Sequence, residues 1–138
     1  MIKENLFKII NGNYIVTGGL GLLGKMHCKA IAEFGGTPVI FDIHSNGFKE
    51  LSEDLKKSNS INPIFLETDI TNEESILNSL SKLKVNKLPI KGLINNAARN
   101  PNVSKNKISF SSRLEEFSID EWEKDIKIGL TGAFLCSK

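Results

Sequence analysis

The stretch Thr17-Gly18-Gly19-Leu20-Gly21-Leu22-Leu23-Gly24 places four glycines in eight residues, directly after the strand formers Tyr14, Ile15 and Val16 and directly before a helical pattern. Without a Cβ, each glycine lets the backbone turn sharply and lets other groups approach it closely. The free amides and the dipole of the helix start then attract an anion, and a pyrophosphate fits against the turn. One helix end contributes only about 0.3 to 1 kcal/mol toward an anion, so binding also needs contacts to the rest of the ligand. The alternative is a plain strand-to-helix turn that binds nothing, and the neighbouring sequence argues against it.

The rest of the chain alternates short apolar runs with longer helical patterns, the signature of βα units around a parallel sheet. The first helix places Leu23, Met26, Ala30 and Phe34 on one stripe and stops at Gly35 and Gly36. A second strand is expected over 37–41, an exposed amphipathic helix over 48–57 with Leu51 and Leu55 four apart, and a third strand over 64–66. Thr71 stands three before Glu74, a capping box that opens a helix with Ile76, Leu77, Leu80 and Leu83 on its apolar face. A fourth strand is expected over 93–95. The polar segment of about twenty residues after Ala98 is long for a connector, which points to a functional lid or an insertion. Ser118 and Glu121 make another capping box, after which Ile119, Trp122, Ile126, Gly129 and Ala133 fall on one helical face.

Asp42 ends the second strand, twenty-four positions beyond Gly18, near the offset of about 20 residues at which a carboxylate reaches the adenosine ribose hydroxyls. A carboxylate there accepts both hydroxyl protons and repels a 2′-phosphate, and no Arg or Lys stands at Gly19, Leu20, Gly21 or Ile43 to neutralise one. NAD is therefore favoured over NADP. The alternative is a solvated turn aspartate; His27 and His44 are assigned no role.

At 138 residues, 40% hydrophobic and 25% charged, the composition is that of one globular domain. A net charge of +2 gives no reason to expect nucleic acid or an anionic membrane as partner. No apolar run approaches the roughly 20 residues of a membrane span. Met1 opens onto Lys3, Glu4 and Asn5 rather than a signal peptide, so a cytoplasmic chain is expected. Cys28 and Cys136 lack metal-site or redox-pair spacing and are expected to be core thiols.

With these residues in place the chain resembles the short-chain dehydrogenase/reductase family over nearly its whole length. Asp69-Ile70-Thr71 is similar to the family's Asp-Val-Thr segment, whose aspartate and next residue hold the adenine ring. Asn95-Asn96-Ala97-Ala98 resembles its Asn-Asn-Ala-Gly segment, which steadies the central sheet and lines the cofactor ribose. Trp122, followed by Leu130-Thr131-Gly132-Ala133-Phe134-Leu135-Cys136, resembles the family's fourth helix. The resemblance implies an α/β fold, a doubly wound parallel sheet of Rossmann type. The sheet is incomplete, with strand order 3-2-1-4 in place of 3-2-1-4-5-6-7, which leaves strand four at an edge. Residues 1–138 are then a single NAD-binding domain, with Gly18, Gly21, Leu22, Leu23, Gly24, Asp42, Ile43, Asp69, Ile70, Asn96, Ala97 and Ala98 at the cofactor.

Departures from the family pattern limit what the chain can do. Gly18, Gly21 and Gly24 stand at three-residue steps, a spacing closer to the family's nucleotide-sugar branch. Gly129 occupies the position of the family's catalytic asparagine, either because the helix approaches a neighbour there or because another group completes the proton relay. The family's serine and its Tyr-x-x-x-Lys pair have no counterpart; Tyr14 is the one tyrosine, and Gly18 stands four positions after it. Hydride transfer to a carbonyl needs an acid at the developing alkoxide, so no catalytic residue and no metal ligand is assigned. The resemblance implies the N-terminal, NAD-binding part of an oxidoreductase for a small alcohol or carbonyl substrate, with a hint of sugar chemistry and a homo-oligomer when complete. Alone, the chain is expected to be inactive and prone to associate. Two alternatives stand beside this: the corresponding part of a nucleotide-sugar epimerase or dehydratase, and a nucleotide-binding module without chemistry.

Overall fold

A strand that buries side chains in both directions belongs at the centre of a sheet covered on both faces. Asn13, Ile15, Val16 and Thr17 are all buried, and the strand they form, β1 (Asn13–Thr17), holds that position. The computed structural model describes residues 9, 11–84, 89–99, 115 and 117–138. Along the chain, β1 is followed by α1 (Leu22–Glu33), β2 (Thr37–Asp42), α2 (Phe48–Asn59), β3 (Ile64–Glu67), α3 (Glu73–Leu83), β4 (Ile90–Ile94) and α4 (Ile119–Ile126). One turn of π-helix (Lys127–Gly132) then leads into α5 (Ala133–Ser137).

All pairings are parallel and the strand order is β3-β2-β1-β4, as the sequence implies. Ile15 lies opposite Val39 on one side and Leu93 on the other. The period of two along the strands divides the core. Val16 and Ile40 pack with Cys28, Ile31 and Ala32 of α1 and with Leu51 and Leu55 of α2. On the opposite face Ile15, Val39 and Phe41 meet Ile76 and Leu83 of α3, with Leu135 and Cys136 of α5 against them. The sheet is thus doubly wound. Cys28 is a core thiol as expected, whereas Cys136 is only half-buried.

Leu51 and Leu55 of α2 are buried as expected, whereas α1 departs from its apolar stripe and α3 departs from its own at one position. In α1 the buried residues are Gly24, Cys28, Ile31 and Ala32; of the expected stripe, Leu23 is 64% and Met26 53% exposed. Gly24 explains this. A Cβ there would fall onto the Gly18 carbonyl oxygen and lie 2.7 Å from Gly19 Cα. The helix therefore turns the face of Gly24 inward, and the positions four, seven and eight residues on follow it. In α3 the N-cap is Asn72, not Thr71: Asn72 Oδ1 accepts from the amides of Glu74 (2.9 Å) and Ser75 (3.3 Å). The Thr71 hydroxyl instead donates to Asp69. Leu77 is exposed, and Ser79 is buried in its stead, its hydroxyl 2.7 Å from that of Thr68.

Ser118 caps α4 as expected, accepting from the Glu121 amide at 3.3 Å. The expected face beyond it does not form: Ile119 is 66% and Trp122 52% exposed. The π-turn accommodates an extra residue, which breaks the 3.6-residue register between α4 and α5. The polar segment after Ala98 falls mostly outside the described residues. No helix among the described residues is long and apolar enough to cross a membrane.

The Gly24 contact yields the first prediction. Gly24→Ala places a methyl group against backbone that cannot yield cheaply, so a loss of about 3 kcal/mol is expected. Thermal unfolding followed by circular dichroism reads it as a melting temperature lower by several degrees; an unchanged value would show that packing at Gly24 does not set the helix.

Candidate functional site

The C-terminal ends of β1, β2 and β4 meet at the glycine turn. Gly18 adopts φ +61°, a left-handed angle that glycine tolerates without strain. Its amide donates to Phe41 O of β2 at 2.7 Å, and its carbonyl accepts from the Gly21 amide at 3.1 Å. A Cβ at Gly18 would stand 2.9 Å from Ala97 Cα, so the loop after β4 presses directly on the turn. A Cβ at Gly19 would stand 2.9 Å from Ile40 Cγ2. Beneath the turn, the Cys28 thiol donates to Gly19 O at 3.8 Å. Burial pushes that thiol up to about 12, so it remains protonated and inert at neutral pH.

Thr17 and Asn96 lock the junction. Thr17 Oγ1 accepts from the amides of Asn96 and Ala97, each at 3.0 Å, and donates to Ile94 O at 3.4 Å. Asn96 Nδ2 donates to Thr17 O and to Gly18 O, both at 3.0 Å. Thr17 is a site residue that its place before the glycines could have flagged; its partners lie almost eighty residues away, which local sequence does not reveal.

At the start of α1, Gly21 takes the N-cap position with no side-chain cap. The first amides of a helix, here those of Leu22 and Leu23, have no carbonyl of the preceding turn to bond. Leu22 is 87% exposed, so this end of α1 is open. At the tip of β2, Asp42 Oδ2 accepts from the Leu20 amide at 3.0 Å, and Oδ1 from the His44 amide at 3.4 Å. The carboxylate is therefore fixed by the glycine turn itself, with exposed Ile43 beside it. Thr68 N donates to Asp42 O at 2.9 Å, which brings the tip of β3 alongside.

Asp69 and Ile70 sit at that tip. Asp69 Oδ1 accepts from the amide and the hydroxyl of Thr71, both at 2.8 Å, an arrangement that shapes the turn into α3. The Ile70 side chain is buried, and a Cβ at Gly132 would lie 2.7 Å from its Cδ1. Close approach of the last helical segment thus falls at Gly132. At Gly129, by contrast, a Cβ would meet nothing within 4 Å among the described residues, so the close-approach explanation of Gly129 is set aside.

Ala98 is exposed, and the next residue, Arg99, reaches α4. Its Nη2 pairs with Glu121 Oε2, and its Nη1 lies 3.2 Å from Asp125 Oδ1 and 3.5 Å from Glu121 O. Lys124 Nζ holds the other Glu121 oxygen at 2.8 Å. Hydrogen bonds from Lys124 and then Arg99 lower the Glu121 carboxyl below its ordinary value, and the bond to Glu121 raises that of Arg99. Glu121 therefore contributes to stability above the usual carboxylate range, and the contribution fades as pH falls through its lowered value. Among the described residues, no group of His, Cys, Asp and Glu could hold a metal ion.

A glycine turn into an open helix end, with a fixed carboxylate at the next strand tip, defines a Rossmann-type nucleotide-binding fold. The strand order reverses between β1 and β4, the switch point at which such folds open their crevice. The chain belongs to the short chain dehydrogenase family, whose model matches residues 13–138. An uncharacterized oxidoreductase of Thermotoga maritima is 32% identical over 124 residues, 90% of this chain and 44% of that protein. A short chain dehydrogenases/reductase of Aspergillus versicolor, notP′, is 28% identical over 98% of this chain and 44% of its own length. Among solved structures, Cj0485 dehydrogenase superimposes with a TM-score of 0.73 at 31% identity, over 94% of this chain and 45% of that one. The chain thus spans less than half the length of these relatives.

The open space at Gly129 yields a second prediction. Gly129→Asn is expected to leave stability within about 0.5 kcal/mol, because an exposed position with free room tolerates a side chain. Urea titration measures it, and a substantial loss would make position 129 a packing site after all.

Proposed function

We propose that this chain is the NAD-binding portion of a cytoplasmic short-chain oxidoreductase that acts on a small alcohol or carbonyl compound. The observation that carries the reading is Asp42, held by the Leu20 amide so that its charge stands at the tip of β2 next to the glycine turn. The site fits a dinucleotide. Gly18 and Gly24 let the turn and the helix close on each other, exposed Gly21 leaves the backbone bare where a pyrophosphate would lie, and the Leu22 and Leu23 amides would face it. Asp42 and Ile43 would take the adenosine ribose, Asp69 and Ile70 would border the adenine, and residues 96–98 would line the second ribose. When bound, the nicotinamide supplies the hydride chemistry.

Proteins that share this fold include an NAD⁺-bound xylitol dehydrogenase and an NADPH-dependent 3-quinuclidinone reductase, so the choice of cofactor rests on Asp42. NAD⁺ is expected to bind at least about tenfold more tightly than NADP⁺, or 1.4 kcal/mol. Calorimetry with both cofactors tests this. Asp42→Asn keeps an acceptor for Leu20 while removing the charge, and should abolish most of the preference; equal affinities in the unaltered chain would sink the ribose assignment.

The sequence contains no Tyr-x-x-x-Lys pair, and β4 lies at the edge of the sheet. Trp122, Leu130 and Phe134 are more than half exposed. Exposed edges and apolar patches favour association. The chain by itself is therefore expected to reduce no NAD⁺ with a panel of alcohols and sugars, and to show by light scattering a mass above its 15.3 kDa. A compact monomer with steady turnover would overturn the assignment of this chain as the cofactor half, which forms a homo-oligomer when complete.

A further inference from the structure

The inward face of α4 is chosen by charge. None of its residues is fully buried, its tryptophan is half exposed, and its partly shielded residues are Glu121, Asp125 and Ile126. Both meet Arg99, whose side chain is only 23% exposed. The two carboxylates stand four apart, on successive turns of one helix face. A planar guanidinium presents separate nitrogens to both at once, which the single ammonium of a lysine cannot do.

At the other end of this contact, Arg99 directly follows the loop that presses on the glycine turn. Asn96 holds the carbonyls of Thr17 and Gly18, and Ala97 abuts Gly18. The path from α4 to the turn therefore runs Glu121 and Asp125, Arg99, the loop after β4, then Gly18. A second anchor, Gly132 against Ile70, lies at the end of the π-turn. Between the two anchors stands Gly129, where a Cβ would meet nothing within 4 Å among the described residues.

We propose that Arg99 is a positioning residue: it clamps α4 to the loop after β4 and so fixes the wall of the crevice on the β4 side of the switch point. The proposal rests on the reading of that crevice as a dinucleotide site. Because β2 and β3 lie on one side of β1 and β4 on the other, a dinucleotide spanning the reversal places one nucleotide on each side. Asp42 marks the adenosine side. Arg99 acts on the opposite one, so its loss should be felt by a whole dinucleotide and not by its adenosine half.

The test compares NAD⁺ with ADP, which lacks the nicotinamide riboside, by calorimetry on the full chain, with melting temperatures recorded on the same samples. Arg99→Gln is expected to weaken NAD⁺ by about three- to tenfold while leaving ADP within about twofold, and Arg99→Lys to fall between this variant and the unaltered protein. The double variant Glu121→Gln/Asp125→Asn, which keeps the guanidinium and removes its partners' charges, should reproduce Arg99→Gln. It carries the test if Arg99→Gln does not fold. Equal weakening of NAD⁺ and ADP, or no change in either, overturns the positioning role. An unaltered chain that binds neither probe overturns the dinucleotide reading itself, a result distinct from the other two.

Discussion

The contact between α1 and the glycine turn sets the geometry of everything around it. Helix and strand approach so closely at Gly24 that a methyl group would meet the Gly18 and Gly19 backbone. That approach aims the first amides of α1 at the space above the sheet, and it fixes the rotation of α1 about its axis. From that rotation follow the burial of Cys28, Ile31 and Ala32 and the exposure of Leu22, Leu23 and Met26. A helix with larger apolar residues on another side gives them to solvent because the backbone contact leaves no choice. The site and the core are thus determined by one steric fact.

The second determinant is the union of β1 and β4. Two strands distant in the chain are joined at their tips by five hydrogen bonds centred on the Thr17 hydroxyl and Asn96. All the groups involved are at least partly shielded from water, where an unmade hydrogen bond costs about 1 to 3 kcal/mol. Neither strand tip can move without stranding polar groups of the other.

The parallel pairing of the sheet was legible from the alternation of strands and helices. The order of β1 through β4 came with the family resemblance, and the position of Asp42 relative to Gly18 reflects the length of one helix and one strand. Helix rotation was not legible in α1 or α4, and in α3 the expected face holds except at Leu77, whose place Ser79 takes. In each, a backbone or polar contact outweighs the widest apolar stripe: Gly24 on Gly18, Ser79 with Thr68, and the Glu121 and Asp125 pair with Arg99. Such contacts join a helix to a residue outside it, and periodicity within a single helix carries no trace of them. The N-cap of α3 was misplaced by one residue for a local reason: Asn72 and Thr71 are both capping residues, and Asp69 takes the threonine hydroxyl.

The turn of π-helix at Lys127–Gly132 works as a phase adjuster between two surfaces that need different alignments. Upstream, α4 must show its carboxylates to Arg99; downstream, α5 must bring Leu135 and Cys136 onto the second core and Ser137 to within 3.2 Å of Asn95. Each residue of an α-helix advances the azimuth by about 100°. Running these same residues as regular α-helix would swing α5 round by about that angle. One of the two alignments would then be lost, so the spacing across this turn tolerates substitution far better than it tolerates a change of length.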